Sequence, residues 1–384
     1  GLRITNTITM TACNERDAVT HSVLSSIPEA LYKFIKASNN QTSAKIKSLK
    51  VGSKVYNGDS VPDGFFDSLS SLKAPDMTGI YSSPSYQSAS SDYSTIRKIC
   101  SSGLRIPAVS AREATEILYG LKPDVNDLFS ITARHYINAG MEGAKHFHFL
   151  MNNVISDINL FSLPELNSVW AMVLHKGHGK PKDVDRSYRT ISTCPLLSKA
   201  LDKYIGSLYE SGWAAVQAET QFQGTGSSHE LASLLLTETI QFSLHSAKKP
   251  LFVLLLDAKS AFDLVLREIL VRRLYLDTTP DQRVRFWDLR LANRTTFCQW
   301  ENHTMGPIHD EQGVEQGGPT SSDHYKIYNN EQLTTAQESG FGTLIAGIDV
   351  AGVGQADDTG FLSNDILQLQ HLLSLSLIYC RKQE

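Results

Sequence analysis

The strongest constraint on the fold is a six-residue apolar run, LFVLLL at residues 251–256, which ends directly at Asp257. A short continuous apolar run that follows Lys249 and Pro250 predicts a β-strand buried on both faces. An aspartate just past such a strand is held rigidly at the edge of a sheet. We therefore expect a layered fold in which this strand delivers the Asp257 carboxylate to a functional edge.

A second pair of acids lies near the end of the sequence. Residues 351–355 and 359–363 flank Ala356, Asp357 and Asp358, a pattern that predicts a hairpin with two acids at its tip. If the hairpin lies beside the strand ending at Asp257, three carboxylates come close together and repel one another strongly. Divalent cations compensate such charges, and two Mg²⁺ ions roughly 3.5–4 Å apart promote in-line displacement at phosphorus.

A simpler interpretation of these acids stays open. Asp257 then caps the following helix, while Asp357 and Asp358 only form a turn. The order of the two features, with the glycine-rich residues 317–319 between them, favours the metal-binding interpretation.

Charge is unevenly distributed along the chain, although the net charge is only -4. Residues 171–209 carry seven Lys or Arg against three acids, and residues 309–370 carry one Lys against ten acids. This pattern indicates either two solvated faces or an anion clamp that faces metal-binding carboxylates. The net charge excludes a chain that is coated with basic residues throughout.

Composition narrows the class of protein further. With 384 residues, 41% of them hydrophobic, the chain is long enough for two to three domains and a sizeable core. Its five cysteines form no CxxC pair, which argues against a paired-cysteine zinc site and a disulfide scaffold. Because no long apolar run occurs and the start shows no signal-peptide pattern, we expect no membrane partner.

The remaining periodicities predict a mixed α/β chain. Ser110 and Glu113 have the spacing of a capping box before a helix at residues 114–121. Asn364 is expected to cap a terminal helix. Amphipathic spacing predicts further helices at residues 126–160 (with a break at Gly140), 196–208, 230–245, 264–276 and 321–338. Strands are expected at residues 169–174 and 189–192, and the serine-rich residues 81–102 are expected to form a loop or linker.

Three sequence runs in this order resemble motifs A, B and C of reverse transcriptases. They are DAKSAFD at residues 257–263, GVEQGGPTS at residues 313–321 and QADD at residues 355–358. The resemblance is greatest to the reverse transcriptases of non-LTR (LINE-type) retrotransposons. HKGH at residues 175–178 and YRTIS at residues 188–192 are similar to the fingers segment, and residues 221–231 to the segment that precedes the palm.

The resemblance covers roughly residues 110–384 and implies an α/β architecture with an α+β palm. The expected fold is that of a right-hand polymerase with fingers and palm. The sequence stops about where a thumb would follow, so the thumb is expected to be missing or incomplete. The implied division is an N-terminal extension or linker at residues 1–105, a fingers region at 106–250 and a palm at 251–384.

Carried over residue by residue, the resemblance implies a metal site. Asp257 and Asp357 would ligate both metal ions, and Asp358 would complete the acidic cluster. The backbone carbonyl of Ala258 would be a further ligand. The implied cofactor is a pair of Mg²⁺ ions, with Mn²⁺ as a possible substitute.

The resemblance also implies a site for the incoming nucleotide. The amides of Ser260 and Ala261 would face the triphosphate, and Phe262 would be the steric gate that excludes a ribose 2′-OH. From spacing alone, the simpler interpretation of Phe262 is a core aromatic at the junction of a strand and a helix, and this alternative stays open. The other residues expected to bind dNTP are Lys176, Arg189, Gln316 and Gly317. One departure is Gln355, which stands where the family usually has an aromatic residue near the primer end.

The function implied is RNA-directed DNA synthesis, in which a primer 3′-OH attacks the α-phosphate of a dNTP. The expected partners are an RNA template, a DNA primer and dNTPs, in an intracellular setting of nucleus or cytoplasm. Two alternatives stay open. One is an RNA-directed RNA polymerase, against which Phe262 argues, and the other is a non-catalytic or relic nucleic-acid-binding fragment with the same fold.

Overall fold

Two of the β-sheets carry most of the chemistry-bearing residues. The computed structural model describes residues 46–74, 84–177, 179–208, 212, 217–222, 228–277, 282–345 and 347–383. Within them the strands form sheets of order β1–β2, β4–β3–β6–β7, β8–β9 and β10–β11–β5. The strands are β1 (Ser48–Val51), β2 (Lys54–Asn57), β3 (Ser168–His175), β4 (Tyr188–Thr193), β5 (Phe252–Asp257), β6 (Thr295–Trp300), β7 (His303–His309), β8 (Thr343–Ile345), β9 (Ile348–Val350), β10 (Gly352–Gln355) and β11 (Asp358–Ser363).

Helices cover these sheets and form the largest core. They are α1 (Val61–Lys73), α2 (Pro84–Ser102), α3 (Ala111–Tyr119), α4 (Ala133–Asn138), α5 (Gly140–Ser156), α6 (Pro164–Asn167), α7 (Leu196–Ser207), α8 (His229–Gln241), α9 (Arg267–Asp277), α10 (Gln282–Ala292), α11 (Ser321–Glu338) and α12 (Ile366–Gln383). In the part of the chain that the structure describes, no helix combines the length and apolar character that crossing a membrane requires.

Several predicted elements are confirmed. The capping box forms as expected, since the Ser110 side chain accepts from the Glu113 amide while the Glu113 carboxylate accepts from the Ser110 amide. The helix expected at 321–338 has those bounds, α4 and α5 are separated next to Gly140, and both short strands of the basic segment form. Helix α9 begins later than expected, because the residues after Asp257 fold into turns.

The expectation that residues 81–102 form a loop or linker is wrong. Residues 84–102 form helix α2, and its apolar residues pack in the main core with Leu270 and Trp287. Serine lowers the hydropathy of this segment, but the apolar residues recur at alternating intervals of three and four, which places them on one helical face. These residues are Tyr86, Ala89, Tyr93, Ile96 and Cys100.

The prediction that the LFVLLL strand is buried on both faces is also wrong. One face of β5 packs on a core that includes Phe361 of β11 and Leu372 of α12. On the other face, Leu255 is 73% exposed and Val253 is 41% exposed. The difference arises because β5 is an edge strand of an antiparallel sheet, and such sheets can leave one face open to solvent.

A third expectation fails at the start of α12. Asn364 does not cap this helix, because its side-chain amide donates to the Pro250 carbonyl at 2.8 Å. Asp365 takes the capping role, and its carboxylate accepts from the Leu367 amide at 2.7 Å. Asn364 therefore connects the end of β11 to Pro250, two residues before β5.

The four-stranded sheet is completed by elements that the sequence did not reveal. Strand β3 pairs antiparallel with β4 and parallel with β6, so segments far apart in sequence meet in one sheet. Leu49 of β1 and Phe65 of α1 pack against this sheet, in one core with Ala171, Tyr188 and Cys298. The N-terminal elements β1, β2 and α1 therefore belong to the same packed unit as β3 and β4.

This packing predicts that Phe65 is a major source of stability. Its ring centroid lies 4.9 Å from that of Tyr188 and 4.6 Å from that of Trp300, and the side chain is buried. We expect Phe65→Ala to lower the free energy of unfolding by about 3–5 kcal/mol, measured by urea denaturation. Phe149→Ala is the matched control, since the Phe149 side chain is 58% exposed. Equal effects of the two substitutions would contradict the assigned packing.

Candidate active site

The three predicted catalytic acids meet at one end of the three-stranded sheet. Asp257 is the last residue of β5 and Asp358 the first residue of β11. The antiparallel register places these two residues directly opposite each other. Asp357 lies in the turn between β10 and β11, next to Asp358. The register therefore brings together acids that are about one hundred residues apart in the sequence.

The acids have different environments. Asp257 and Asp358 are exposed, whereas Asp357 is half-buried. Burial raises the pKa of Asp357, its own backbone amide opposes the shift, and the negative charges of Asp358 and Asp257 raise it further. The site thus holds a carboxylate that is costly to ionise unless a positive charge lies nearby.

This donor set fits a hard divalent cation that is completed by substrate oxygens. In the described part of the chain, no group of three His, Cys, Asp or Glu side chains forms a ready-made metal cage. Mg²⁺ does not require one, because it usually takes one or two carboxylates together with phosphate oxygens. The observation that supports the fit is the strand register, which sets Asp257 opposite Asp358, with Asp357 in the adjoining turn. Ala258 lies at the start of the turn that follows Asp257.

The turn that carries Asp357 is strained, and Gln221 supports it. Ala356 has a φ of +58°, a left-handed conformation that is uncommon for alanine. The buried Gln221 side chain accepts from the Ala356 amide at 3.2 Å. On either side of Gln221, the Phe222 amide donates to the Gly354 carbonyl at 2.8 Å and the Gly354 amide donates to the Thr220 carbonyl at 2.9 Å. Residues 220–222 thus extend the sheet beside β10.

Sequence reasoning missed this role of Gln221. The sequence indicates only that residues 221–231 resemble the segment that precedes the palm in reverse transcriptases. No local pattern in the sequence indicates a hydrogen bond between residues 135 positions apart, and the burial of Gln221 is visible only in the structure.

After Asp257 the chain folds into a compact turn that places the nucleotide-site candidates. Ser260 has a φ of +52°, and its carbonyl accepts from the Asp263 and Leu264 amides. Ala261 is buried in the main core, and Phe262 is half-buried beside it. The Phe262 ring centroid lies 5.3 Å from that of Tyr325 in α11. The ring is therefore held against helix α11, which directly follows residues 313–320. We call residues 313–320 the glycine-rich segment.

The glycine-rich segment contacts this turn through Gly313 and Val314. The Val314 amide donates to the Phe262 carbonyl at 2.7 Å. Gly313 has a φ of +87°, and a Cβ there would lie 2.6 Å from the Asp263 carbonyl oxygen. Only glycine allows this approach of the two backbones.

The same segment reaches strand β4 through the predicted nucleotide-site residues Gln316 and Gly317. The Ser192 amide donates to the Gln316 carbonyl at 2.9 Å. Gly317 has a φ of +108°, and a Cβ there would lie 3.1 Å from the Ser192 carbonyl oxygen. The segment thus joins the β5 turn to the four-stranded sheet.

The two predicted cations lie on the four-stranded sheet and its basic loop. Arg189 is exposed on β4, three residues before Ser192, and Lys176 is exposed just after β3. The Lys176 ammonium donates to the Arg186 carbonyl at 3.0 Å, within the same loop. The structure therefore connects the strand of Arg189 to the glycine-rich segment, whereas Lys176 contacts its own loop. Their roles toward a nucleotide stay predictions.

A buried ionic cluster supports the glycine-rich segment from behind. The Arg290 guanidinium donates to the Glu315 carboxylate at 3.1 Å and lies within 3.4 Å of the Asp202 carboxylate. Burial raises the pKa of Asp202, and Arg290 opposes that shift. Since Glu315 directly precedes Gln316, a single arginine helps to fix the backbone at the predicted nucleotide site.

Comparison with known families identifies the chain. A family model described as reverse transcriptase (RNA-dependent DNA polymerase) matches residues 179–384, more than half of the chain. The chain belongs to the reverse transcriptase family. The match includes Arg189, all three acids and the glycine-rich segment, but it begins after Lys176.

Solved structures of telomerase also resemble this reverse transcriptase chain. Apo telomerase from Candida Tropicalis matches with a TM-score of 0.38 and 12% identity, over 55% of this chain and 41% of its own. Telomerase from Candida albicans, in complex with a TWJ fragment of telomeric RNA, matches with a TM-score of 0.40 and 11% identity, over 55% and 40%. The chain thus spans about two fifths of these structures. Comparison with curated proteins gives no match.

The position of Gln221 predicts a loss of activity without a loss of fold. If the acids at this turn hold a metal ion for nucleotidyl transfer, we expect Gln221→Ala to slow primer extension by roughly 10- to 100-fold, the loss that outer-shell supports of a metal site cause. Single-turnover extension rates would measure the effect, and thermal melting would verify the fold. Gln370→Ala is the matched control because Gln370 is exposed on α12. If Gln221→Ala retained the wild-type rate, the turn would not depend on this hydrogen bond.

The raised pKa of Asp357 predicts how stability depends on pH. Below the usual aspartate pKa the carboxyl is protonated in both the folded and unfolded chain, so it has no effect there. As pH rises through the raised folded-state pKa, ionisation costs more in the folded chain and stability falls. We therefore expect Asp357→Asn to be more stable than wild type at pH 7 and equal to it only below the usual aspartate pKa, at about pH 3.

The measurement is the free energy of unfolding in urea with a chelator present. The gain from Asp357→Asn should stay below about 1 kcal/mol, because solvent screens a half-exposed carboxylate. Mg²⁺ should stabilise the wild-type chain more than Asp357→Asn. A wild-type chain that gains stability across this pH range relative to Asp357→Asn would refute the assigned environment.

Proposed function

We propose that this chain catalyses RNA-directed DNA synthesis as the reverse transcriptase of a non-LTR retrotransposon. The observation that carries the proposal is the β5–β11 register, which sets Asp257 opposite Asp358 and beside Asp357. In this proposal the primer 3′-OH attacks the α-phosphate of a dNTP that is paired to an RNA template, and pyrophosphate leaves. The DNA primer, RNA template and dNTPs are the proposed partners.

The acids would hold the cofactor in this mechanism. Asp257 and Asp357 would bind two Mg²⁺ ions, or Mn²⁺, with Asp358 and the Ala258 carbonyl completing the site. Bound metal would neutralise phosphate charge and favour the ionised form of the primer hydroxyl. The contribution of the protein is a rigid sheet edge that keeps the carboxylates in place before substrate arrives.

Other residues would bind and select the nucleotide. Arg189, assisted by Lys176, would neutralise the triphosphate from the four-stranded sheet. The Ser260 and Ala261 amides would face the phosphates. Gln316 and Gly317 would pack beside the sugar and the template base. Most of the rate enhancement would come from this positioning and from electrostatics.

Phe262 favours DNA synthesis over RNA synthesis. Its ring centroid lies 5.3 Å from that of Tyr325, and this contact would hold the ring in place against a ribose 2′-OH. An RNA polymerase must admit that hydroxyl. The packing of this one side chain therefore supports a deoxynucleotide substrate.

The remaining parts of the proposal rest on the family resemblance. They are a right-hand arrangement in which the four-stranded sheet belongs to the fingers and the β10–β11–β5 sheet to the palm, and an intracellular site of action in nucleus or cytoplasm. The division into residues 1–105, 106–250 and 251–384 is proposed on the same basis.

Primer extension tests the proposal. The wild-type chain, Asp357→Ala and the surface variant Asp124→Ala would be given an RNA template, a DNA primer, Mg²⁺ and either dNTPs or rNTPs. We expect extension with dNTPs by the wild type and by Asp124→Ala, and a loss of at least about 100-fold in Asp357→Ala, more than outer-shell substitutions cost. Asp124 is a suitable control because its carboxylate pairs with Arg134 on the exposed surface.

Three other outcomes would replace the proposal. Equal use of rNTPs would indicate an RNA polymerase. Extension that survives in Asp357→Ala would place catalysis elsewhere. Template binding without extension, under conditions in which an unrelated reverse transcriptase extends the same primer, would indicate a non-catalytic nucleic-acid-binding chain.

A further inference from the structure

Lys73 is a buried lysine in the part of the chain to which the sequence assigned no function. It is the last residue of α1, and its side chain is only 6% exposed. The ammonium lies 3.3 Å from the Asp263 carboxylate and 3.6 Å from the Asp310 carboxylate. A lysine is rarely buried unless it is paired, so these two contacts account for its position.

Asp263 links this lysine to the predicted nucleotide site. It directly follows Phe262, and its amide donates to the Ser260 carbonyl at 2.9 Å. Its carbonyl oxygen lies against Gly313, where a Cβ would be only 2.6 Å away. The side chain of Asp263 is thus held by α1, while its backbone contacts Ser260 in the turn after Asp257 and Gly313 in the glycine-rich segment.

Further contacts attach α1 to the residues just before the glycine-rich segment. The Glu311 amide donates to the Lys73 carbonyl at 3.1 Å. The Gln312 side chain donates to the Leu72 carbonyl at 3.0 Å. The C-terminal end of α1 therefore contacts both Asp263, next to Phe262, and the two residues that precede Gly313.

The charges around Lys73 balance. Arg294 donates to the Asp310 carboxylate at 2.6 Å and to the Gly313 carbonyl at 2.7 Å. Two cations and two carboxylates thus form one buried cluster. Without Lys73, Asp263 would lose its ion-pair partner and would face Asp310 across a site of low polarity, where like charges repel strongly.

We propose that Lys73 is a positioning residue that sets the discrimination between dNTPs and rNTPs. By holding Asp263 it fixes the backbone that carries Phe262 and, through the Val314–Phe262 hydrogen bond, the glycine-rich segment. The ring can then exclude a 2′-OH only while α1 is docked. That the turn of Phe262 and the glycine-rich segment bind dNTP rests on the proposed function.

The kinetic test compares Lys73→Met and Lys73→Arg with the control Lys54→Met. Lys54 pairs with Asp67 at 3.7 Å, and its side chain is 74% exposed. The control therefore removes a positive charge from the same N-terminal segment without removing a contact to Asp263. We expect Lys73→Met to raise the KM for dNTP and to lower the preference for dNTP over rNTP, each by roughly tenfold. Lys73→Arg should restore part of both.

A merely structural role would give a different result. It would lower the amount of active enzyme, and hence kcat for both nucleotides, and would leave KM and the preference unchanged; that result would overturn the proposal. The double variant Lys73→Met/Asp263→Asn keeps the test valid if Lys73→Met fails to fold. It removes one buried positive and one buried negative charge and leaves Arg294 paired with Asp310. We expect it to keep the fold but to lack the wild-type preference.

Amide hydrogen exchange decides the inference even if the chain does not extend primers. We expect faster exchange at the Gly313 and Val314 amides in Lys73→Met than in wild type or Lys54→Met, with no change in α12. Unchanged exchange at these amides would refute the positioning role. Faster exchange in Lys73→Met without any primer extension by the wild type would refute the proposed function. It would leave intact the structural link between Lys73 and the glycine-rich segment.

Discussion

The pairing of β5 with β11 is the interaction on which the rest of the structure depends. An antiparallel register has a period of two, so a slip of one residue would turn Asp358 to the other face of the sheet and remove it from Asp257. The core beneath the sheet prevents such a slip, because the buried side chains of Phe361 and Leu372 would also lose their packing. Ordinary hydrophobic packing thus enforces the arrangement of the acids.

Bringing like charges together costs free energy, and contacts in the surrounding structure hold the acids in place against their repulsion. The tip of the hairpin is held in a strained conformation by the Gln221 side chain, and β10 gains a further backbone neighbour in residues 220–222. Behind the glycine-rich segment, Arg290 and Arg294 satisfy buried carboxylates. Rigid polar networks of this kind are typical of sites that must be organised before the ligand arrives.

The N-terminal elements are part of this organisation. β1 and α1 complete the core of the four-stranded sheet, α2 completes the main core, and Lys73 reaches the turn after Asp257. Little of this could be predicted from the sequence, because the residues in contact are far apart along the chain. The apolar residues of α2 have helical spacing, but the high serine content of this segment favours its interpretation as a loop. Parallel pairing of β3 with β6 had no local signal at all.

The sequence by itself determined most local elements and singled out the three candidate catalytic acids. The Ser110–Glu113 capping box, apolar periodicity and the ordered motifs around Asp257, Gln316 and Asp357 depend on neighbours within a few positions, so they are visible in the sequence. Tertiary structure alone decided which face of β5 is exposed, which residue supports the strained turn and what neutralises Asp263. Those outcomes depend on contacts between segments far apart in the chain, where burial makes each unpaired charge or amide costly and selects one partner.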